Sequence, residues 1–599
     1  MLYAILSIFS MKLGASFSDA IHTEKISHLR LKDDPAHFSM RALLFPVLLV
    51  GVALILFGRL FFLQVLAGKY YSDLATTNRL RTVIVHAPRG VIFDRNGVPL
   101  TYNVPGYQET INGKTQLLTQ QEALPKIAAG DKNLEINSLR EYPLASSSAH
   151  VIGYIGQISP EQLQLPQFLS YGASDFIGQM GLEAQYESVL RGIDGKKLIE
   201  VDAAGNTVKT LGQTDPIPGQ NITTTVDAAL QKDVALAMSS VQKGAAIVST
   251  PNGQILAMVS EPSFDPNLFT MGQGYKAPFG SAYTNVSQIL LDGNGQPLLN
   301  RAISGTYPPG STFKIVVAAA GLQSGKIDQN YMVDDTGIIR VGNFSFTNWY
   351  YSQDGKTEGN INVVTALKRS NDIFFYKVGS LLGVDTLSKY ARQFGLGTTL
   401  GIDLPGEATG LVPTKEWKLQ TIGEPWYLGD DYHYGIGQGY VLTTPLQVNT
   451  WTQAVANGGT LYQPHLLKTA EPKILDKNLL TEKNRDLIRE GMIAVCDPGG
   501  VAYPLFDFTV ANPTLKIDGK NIVGVDGHPN ERHVVIACKT GTAQQGDTNA
   551  LAHAWITLFA PAYNPQIVVT VLSEASGEGS DVAAPIAKEI LTDWFDRQN

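Results

Sequence analysis

Cysteine is nearly missing from this chain, with two thiols, Cys496 and Cys538, among 599 residues. A disulfide-built scaffold is therefore excluded, and one Cys496–Cys538 pairing is the most the count allows. The sequence also has no Cys/His cluster at zinc-ligand spacing and no glycine-rich loop of nucleotide-binding form. Neither a metal nor any other cofactor is expected. An excess of basic residues is missing too: 46 Lys and Arg against 54 Asp and Glu leave a net charge of −8. That balance argues against nucleic acid as a partner. Internal repeats, heptads and long low-complexity tracts do not occur. What remains is 44 % hydrophobic residues, an ordinary core content for a chain of several domains.

Long uncharged apolar runs are scarce, and the one present is informative. Ala42 to Gly58 carries no charge between Arg41 and Arg59, and the apolar character resumes from Leu60 to Leu66. With Arg59 near an interface, ~20–25 such residues cross a hydrocarbon core of ~30 Å, so a transmembrane helix is expected over 42–66. Lys25, Arg30, Lys32 and Arg41 precede it, whereas Arg59 and Lys69 follow. The positive-inside rule then places 1–41 in the cytoplasm and the rest beyond the cytoplasmic (inner) membrane, as a single-pass protein. A cleaved signal peptide is the rival reading; the length of the run and the lack of a clear small-x-small site favour a retained anchor. Met1 to Ser10 is apolar but too short to span.

Beyond the anchor, Tyr70 to Arg81 reads as an amphipathic helix leading into the β-rich Val83-Ile84-Val85, and Asn96-Gly97 signals a tight turn between short strands. Residues 105–149 are polar and weakly periodic, which predicts a small, loosely specified subdomain. A short amphipathic helix is expected over Gly181 to Gly192, β-like residues follow to Val208, and the stretch from Gly212 to Gly219 is a plausible domain boundary. The second half differs. A helix over Asp227 to Val241 precedes a hairpin of Ala245 to Ser249 and Gln254 to Ser260. Late strands over Val534 to Thr542, Ala554 to Phe559 and Ile567 to Leu572 are closed by a helix over Val582 to Arg597. Antiparallel strands with segregated helices argue an α+β domain.

Three short motifs carry the chemistry. In Ser311-Thr312-Phe313-Lys314, a serine and a lysine three apart share a helix face, so the amine stands beside the hydroxyl it must activate. Ser311 is expected at a helix N-terminus, where backbone N–H groups favour developing negative charge. Ser240-Val241-Gln242-Lys243 is a second copy, but its helix runs at once into Gly244 and no suitable loop follows. Ser370-Asn371-Asp372 lies between the helix Val363 to Lys368 and a second one beginning at Ile373. Lys539-Thr540-Gly541-Thr542 ends a strand. Each triplet alone is weak, reading as a capping turn or a strand end. In this order, on a helix start, an inter-helix loop and a strand, they form the set shared by penicillin-binding proteins and class A β-lactamases. Ser311 would attack a peptide carbonyl and become acylated. Lys314 would take the proton, its pKa lowered by burial and by the nearby Lys539. Ser370 would relay a proton to the leaving amine and Asp372 would fix the loop. Thr540 and Thr542 with Lys539 suit a substrate carboxylate, Gly541 would let substrate backbone approach, and Asn371 is grouped with them on the substrate side. Backbone N–H groups of Ser311 and Thr542 are the natural oxyanion hole.

The chain resembles the class B penicillin-binding proteins, bitopic D,D-transpeptidases of peptidoglycan, over about residues 42–599. Beside the three motifs, the resemblance rests on Arg59-Leu60-Phe61-Phe62-Leu63-Gln64-Val65, Arg89-Gly90-Val91-Ile92-Phe93-Asp94-Arg95-Asn96-Gly97 and His150 to Gly156. Gly181-Leu182-Glu183, Gly437-Gln438-Gly439-Tyr440 and Thr444-Pro445-Leu446-Gln447 add to it. It implies a β-rich pedestal (dimerisation-type) domain over 67–215 with a shortened head at about 105–149, then a serine transpeptidase domain over 216–599. It further implies stem peptides as substrates and β-lactams that acylate Ser311. The implied partner is a membrane-embedded glycan polymerase of the shape, elongation, division and sporulation family. The second motif can also be read as a triplet ending at Asn371. Ser370-x-Asp372 aligns better with members carrying aspartate there, a subtype typical of elongation rather than division. A β-lactamase or D,D-carboxypeptidase would share Ser311 and Lys314 but use water. For the former, Glu407 and Glu424 lack the partner asparagine that a deacylating loop needs. A β-lactam-binding sensor would normally carry several spans before its binding domain.

Overall fold

The computed structural model describes residues 40–111, 114–131, 134–202, 207–469, 471–545 and 550–598. The expectation of a cytoplasmic segment over 1–41 therefore lies almost wholly outside the described residues. The chain divides into two compact units, one holding the described residues of 40–81 and 200–208, the other 82–199 and 209–598.

In the first unit, helix α1 (Met40–Phe61) continues through a wider turn, Phe62–Leu66, into α2 (Gly68–Arg79). Leu44–Leu66 is long and apolar enough to cross a membrane, and none of it is buried inside the chain. Leu48, Ile55, Phe57 and Leu66 all stay exposed.

The second unit opens on a small sheet. Strand β1 (Tyr102–Ile111) lies between β2 (Lys114–Thr119) and β3 (Leu134–Glu141), antiparallel to both, with α3 (Gln120–Ala128) following β2. Thr119 and Glu122 form a capping box at the start of α3. This segment is thus well formed, not loosely specified. Its buried positions mix polar and apolar side chains: Gln108 Nε2 donates to Glu135 (2.8 Å) and Lys126 pairs with Glu109 (2.8 Å), beside buried Leu117, Leu118 and Leu139. Ile111 and Ile136 point outward. Hydrophobic alternation, the usual strand signal, is absent for that reason.

Two of the glycine-bearing motifs meet in this unit. A Cβ on Gly153 would lie 1.7 Å from the Met180 carbonyl oxygen, and one on Gly181 2.5 Å from the Gly153 nitrogen. Only bare backbones fit there. The expected helix over Gly181 to Gly192 is two short turns, Gly181–Gln185 and Glu187–Leu190, broken at Tyr186. They place Glu183 and Glu187 against Arg89 (2.5 and 2.6 Å), while Arg140 holds the other Glu183 oxygen (2.7 Å). All four side chains are buried or nearly so. Asp94, from the Arg89 motif, accepts from Asn96 and Val98 N–H (both 2.7 Å) to close its turn, and from Ala228 N–H.

Ala228 begins α4 (Ala228–Ala237), capped by Asp227. The helix ends before Ser240, which is exposed beyond it, and the Lys243 amine donates to Asn294 (3.0 Å). The hairpin of β4 (Gly244–Ser249) and β5 (Ile255–Glu261) follows, with Gly253 at φ +94° in its turn. Then come α5 (Lys314–Gln323), β6 (Val333–Asp335), α6 (Trp349–Asp354), β7 (Gly359–Ile361), α7 (Val363–Lys368) and α8 (Asp372–Gln393). Farther on are α9 (Pro445–Ala456) and α10 (Glu482–Cys496). The chain closes with β8 (Ala537–Ala543), β9 (His553–Ala560), β10 (Ile567–Ser573) and α11 (Ala584–Asp596). The central sheet has the order β5-β4-β10-β9-β8, antiparallel throughout, so β8 is an edge. Trp555 and Phe559 of β9 share one core with α5, α8 and α9, whereas Ile556 and Leu558 share the other with α4 and α11. Helices cover both faces of an antiparallel sheet, the α+β architecture expected.

Candidate active site

The site grows from a turn. Tyr307 N–H donates to the Thr443 carbonyl (2.9 Å) and Gly310 N–H to that of Gly437 (2.9 Å). Gly310 takes φ +53°, and Gly310–Phe313 coils as a 3₁₀ turn that runs into α5. Ser311 therefore sits on the tight turn ahead of the α-helix, partly open to solvent, while Lys314 begins the helix and is fully buried. The expected pairing of Lys314 with Ser311 is not among the hydrogen bonds formed. Lys314 Nζ donates to the Ser370 carbonyl (2.8 Å), to Ser370 Oγ (3.4 Å) and to Asp372 Oδ1 (2.6 Å). A buried amine takes the acceptors that enclose it, and these come from the α7–α8 loop.

That loop is strained. Ser370 is at φ +50°, a left-handed conformation unusual for a residue other than glycine. Its hydroxyl receives a second amine, Lys539 Nζ, at 2.8 Å, and the same amine donates to the Thr540 carbonyl (2.8 Å). Ser370 Oγ thus lies between two buried lysines. Burial pulls both amines below the ordinary lysine value; Lys314 adds to the effect on Lys539, and Asp372 opposes it for both. The loop residue Asn371 turns away. It is fully buried, donates to Asp335 Oδ2 (2.7 Å) and accepts from Phe374 N–H (2.9 Å). It does not line the groove with the substrate-side residues among which it was expected.

Strand β8 supplies the opposite wall. The expected strand over Val534 to Thr542 is interrupted, so β8 starts only at Ala537. Cys538, beside Lys539, is bonded to Cys496 at the end of α10, with Cα atoms 6.1 Å apart. The two thiols form the single pairing that the count allowed. Gly541 also has a packing reason to be bare. A Cβ there would meet Thr312 Cγ2 (3.0 Å), Trp555 Cβ (3.1 Å) and the Pro309 carbonyl oxygen (3.2 Å). Its bareness seats the Ser311 turn. Thr542 is exposed, and its carbonyl faces Gln438 across the groove (3.5 Å).

Between these walls runs a groove of about 1060 Å³, lined by Ser311, Ser370, Asp372, Thr540, Gly541 and Thr542, with both lysines beneath it. Sequence reasoning missed Trp349, Tyr376, His433, Tyr503 and His553, which also line it. None stands in a motif, so no local signal marks them. Burial holds both histidines below their ordinary value. Glu407 is occupied elsewhere, accepting the N–H groups of Leu400, Gly401 and Ile402. Among the described residues no cluster of three or more His, Cys, Asp or Glu could hold a metal ion.

Comparison with known proteins agrees with this geometry. Residues 244–592 match the family model of the penicillin-binding protein transpeptidase domain, and 131–224 that of the penicillin-binding protein dimerisation domain. A relative from Acinetobacter baumannii, named peptidoglycan D,D-transpeptidase MrdA, is 31 % identical over 92 % of this chain and 86 % of its own. Pseudomonas aeruginosa PBP2, solved in complex with WCK 5153, is 32 % identical with a TM-score of 0.66, covering 86 % of this chain and 96 % of its own. A structure described as structural coordination of polymerization and crosslinking by a peptidoglycan synthase complex is 29 % identical. It has a TM-score of 0.68 and covers 93 % of this chain and 99 % of its own. Sequence, fold and groove together place this chain in the penicillin-binding protein transpeptidase family, among the class B members of elongation type.

Proposed function

We propose that this chain is a peptidoglycan D,D-transpeptidase that cross-links stem peptides through an acyl-serine on Ser311. The observation that carries the reading is the convergence of three distant motifs on one hydroxyl, that of Ser370, with Ser311 in the same groove. Lys314, its amine favoured in the neutral form by burial, accepts the Ser311 proton as Ser311 Oγ attacks the penultimate D-alanine carbonyl. Ser370, hydrogen-bonded to both amines, passes that proton to the leaving D-alanine nitrogen. An amine of a second stem peptide then takes the acyl group and Ser311 recovers its proton. Asp372 holds Lys314 and the loop in place. Lys539, Thr540 and Thr542 bind the terminal carboxylate. The N–H groups of Ser311 and Thr542 stabilise the oxyanion, worth ~3–4 kcal/mol in serine hydrolases. For Thr542 this is supported by its carbonyl, which faces away from β9; in a strand the N–H of the same residue points the same way.

The same reading divides the chain into a cytoplasmic segment (1–41), a transmembrane helix (42–66), a pedestal (67–215, head at about 105–149) and a transpeptidase domain (216–599) beyond the membrane. A glycan polymerase in the membrane is the fitting partner, in keeping with the polymerization and crosslinking that the synthase-complex relative coordinates. The family findings favour this activity over a β-lactamase, a carboxypeptidase or a sensor. A fluorescent penicillin should label the purified full-length protein at Ser311, persist as an adduct, and fail on Ser311→Ala. Labelling that survives at Ser240, or rapid release of hydrolysed antibiotic, sinks the reading.

A further inference from the structure

Asp335 is a buried carboxylate with no cation against it among the described residues. It accepts four N–H groups instead. Oδ1 takes Gly337 N–H (2.9 Å), and Oδ2 takes Asn348 Nδ2 (3.1 Å), Asn371 Nδ2 (2.7 Å) and Glu358 N–H (3.0 Å). Both asparagines are fully buried, and both carry the contact onward. Asn348 Oδ1 accepts from Asp372 N–H (3.1 Å), and Asn371 Oδ1 from Phe374 N–H (2.9 Å). A carboxylate only accepts and a backbone N–H only donates, so both amides have one allowed orientation. Trp349, next to Asn348, adds its own N–H to Asp372 Oδ2 (3.2 Å). Asp335 ends β6, whose register against β7 pairs it with Gly359, so the carboxylate is anchored outside the loop it serves.

We propose that Asp335 is a positioning residue for the transpeptidase reaction: through Asn348 and Asn371 it clamps the start of α8 immediately after the strained Ser370. Asp335 touches neither the groove nor either lysine. Its effect reaches the chemistry through the backbone of residues 371–374 and the carboxylate of Asp372, which in turn holds Lys314. This reverses the sequence-based placing of Asn371: its amide belongs to the clamp. The inference rests on the roles proposed above for Ser370 and Asp372.

The test uses full-length protein in detergent and benzylpenicillin. Stopped-flow acylation separates the non-covalent dissociation constant from the acylation rate constant, and a titration with fluorescent penicillin counts the reactive molecules. Asp335→Asn keeps the volume but leaves one oxygen for four donors. It should lower the acylation rate constant at least tenfold, a loss on the scale of a misplaced catalytic group. The dissociation constant should stay within about twofold. Asn348→Ala, which spares the other three donors, should act in the same direction and serves if Asp335→Asn does not fold. Acylation within twofold of wild type in the folded variants overturns the proposal. So does a reduced reactive fraction whose surviving molecules react at the wild-type rate, since that describes a structural role only. A wild-type protein unlabelled at Ser311 would instead bring down the parent reading.

Discussion

Ser370 presents one hydroxyl to two buried amines, and the nearest carboxylate, Asp372, belongs to the same loop. This arrangement makes the pH response of the site a property of single residues. Burial disfavours the charged form of Lys314, and Asp372 partly restores it. The acylation rate should therefore rise with pH as Lys314 loses its proton, at a midpoint below that of an ordinary lysine. Asp372→Asn removes the opposing charge, so burial acts alone and the midpoint moves to lower pH. The plateau should fall about 10²-fold as Lys314 loses its anchor. Rates of penicillin acylation measured across pH for both proteins check this; a midpoint that stays put or moves upward counts against it. Residue identity announced Ser311, Lys314, Ser370, Asp372 and Lys539, because each chemistry demands one residue type. It could not announce Asp335 or Trp349. Neither stands in a motif, and their meaning lies in what they touch.

At the scale of elements, edge strand β8 and the Ser311 turn are fitted backbone to backbone. The contact gives Gly541 a packing role. Its Cβ would be crowded on three sides, by Thr312, Trp555 and the Pro309 carbonyl. Gly541→Ala should push the turn off its seat by a few tenths of an ångström. We expect a loss of about 1–3 kcal/mol in stability from overpacking and acylation slowed roughly tenfold or more. Thermal unfolding and acylation kinetics on the same sample read both, and a variant that acylates at the wild-type rate would remove the seat argument. The late strands and the hairpin of β4 and β5 were legible because they are apolar runs bounded by turns. The head sheet was not. Buried Gln108 and Glu109 sit among buried Leu117, Leu118 and Leu139 while Ile136 is exposed, so period-2 hydrophobicity never appears. The helix over Asp227 to Val241 was read too long, since Asp227 marks its start but no glycine or proline marks its end at Ala237.

For the whole molecule, the second unit is tied together by a few buried polar junctions. The Arg89–Glu183–Arg140 cluster joins two motifs that are 94 residues apart. Burial opposes ionisation of Glu183, yet Arg140 and Arg89 outweigh it and hold the carboxyl below its usual range. A carboxyl depressed in the folded state adds stability above its unfolded value and loses it as pH falls through the folded one. Glu183→Gln leaves two arginines without their shared partner, at a cost of about 3–5 kcal/mol. The unfolding midpoint of full-length protein should drop sharply near neutral pH, and the gap to wild type should narrow in acid. A gap that is constant with pH would deny Glu183 this charge role. The order of the three motifs, the apolar run of Leu44–Leu66 and the acyl-serine chemistry were determined by the sequence alone, since side-chain type and local periodicity carry them. Only the tertiary structure decided that Lys314 rests on Ser370 and Asp372, that Asn371 faces Asp335, and that Lys539 reaches Ser370 across 169 residues of chain. The physical reason is range: a hydrogen bond needs its partners within about 3 Å, and only chain closure brings such distant residues that near.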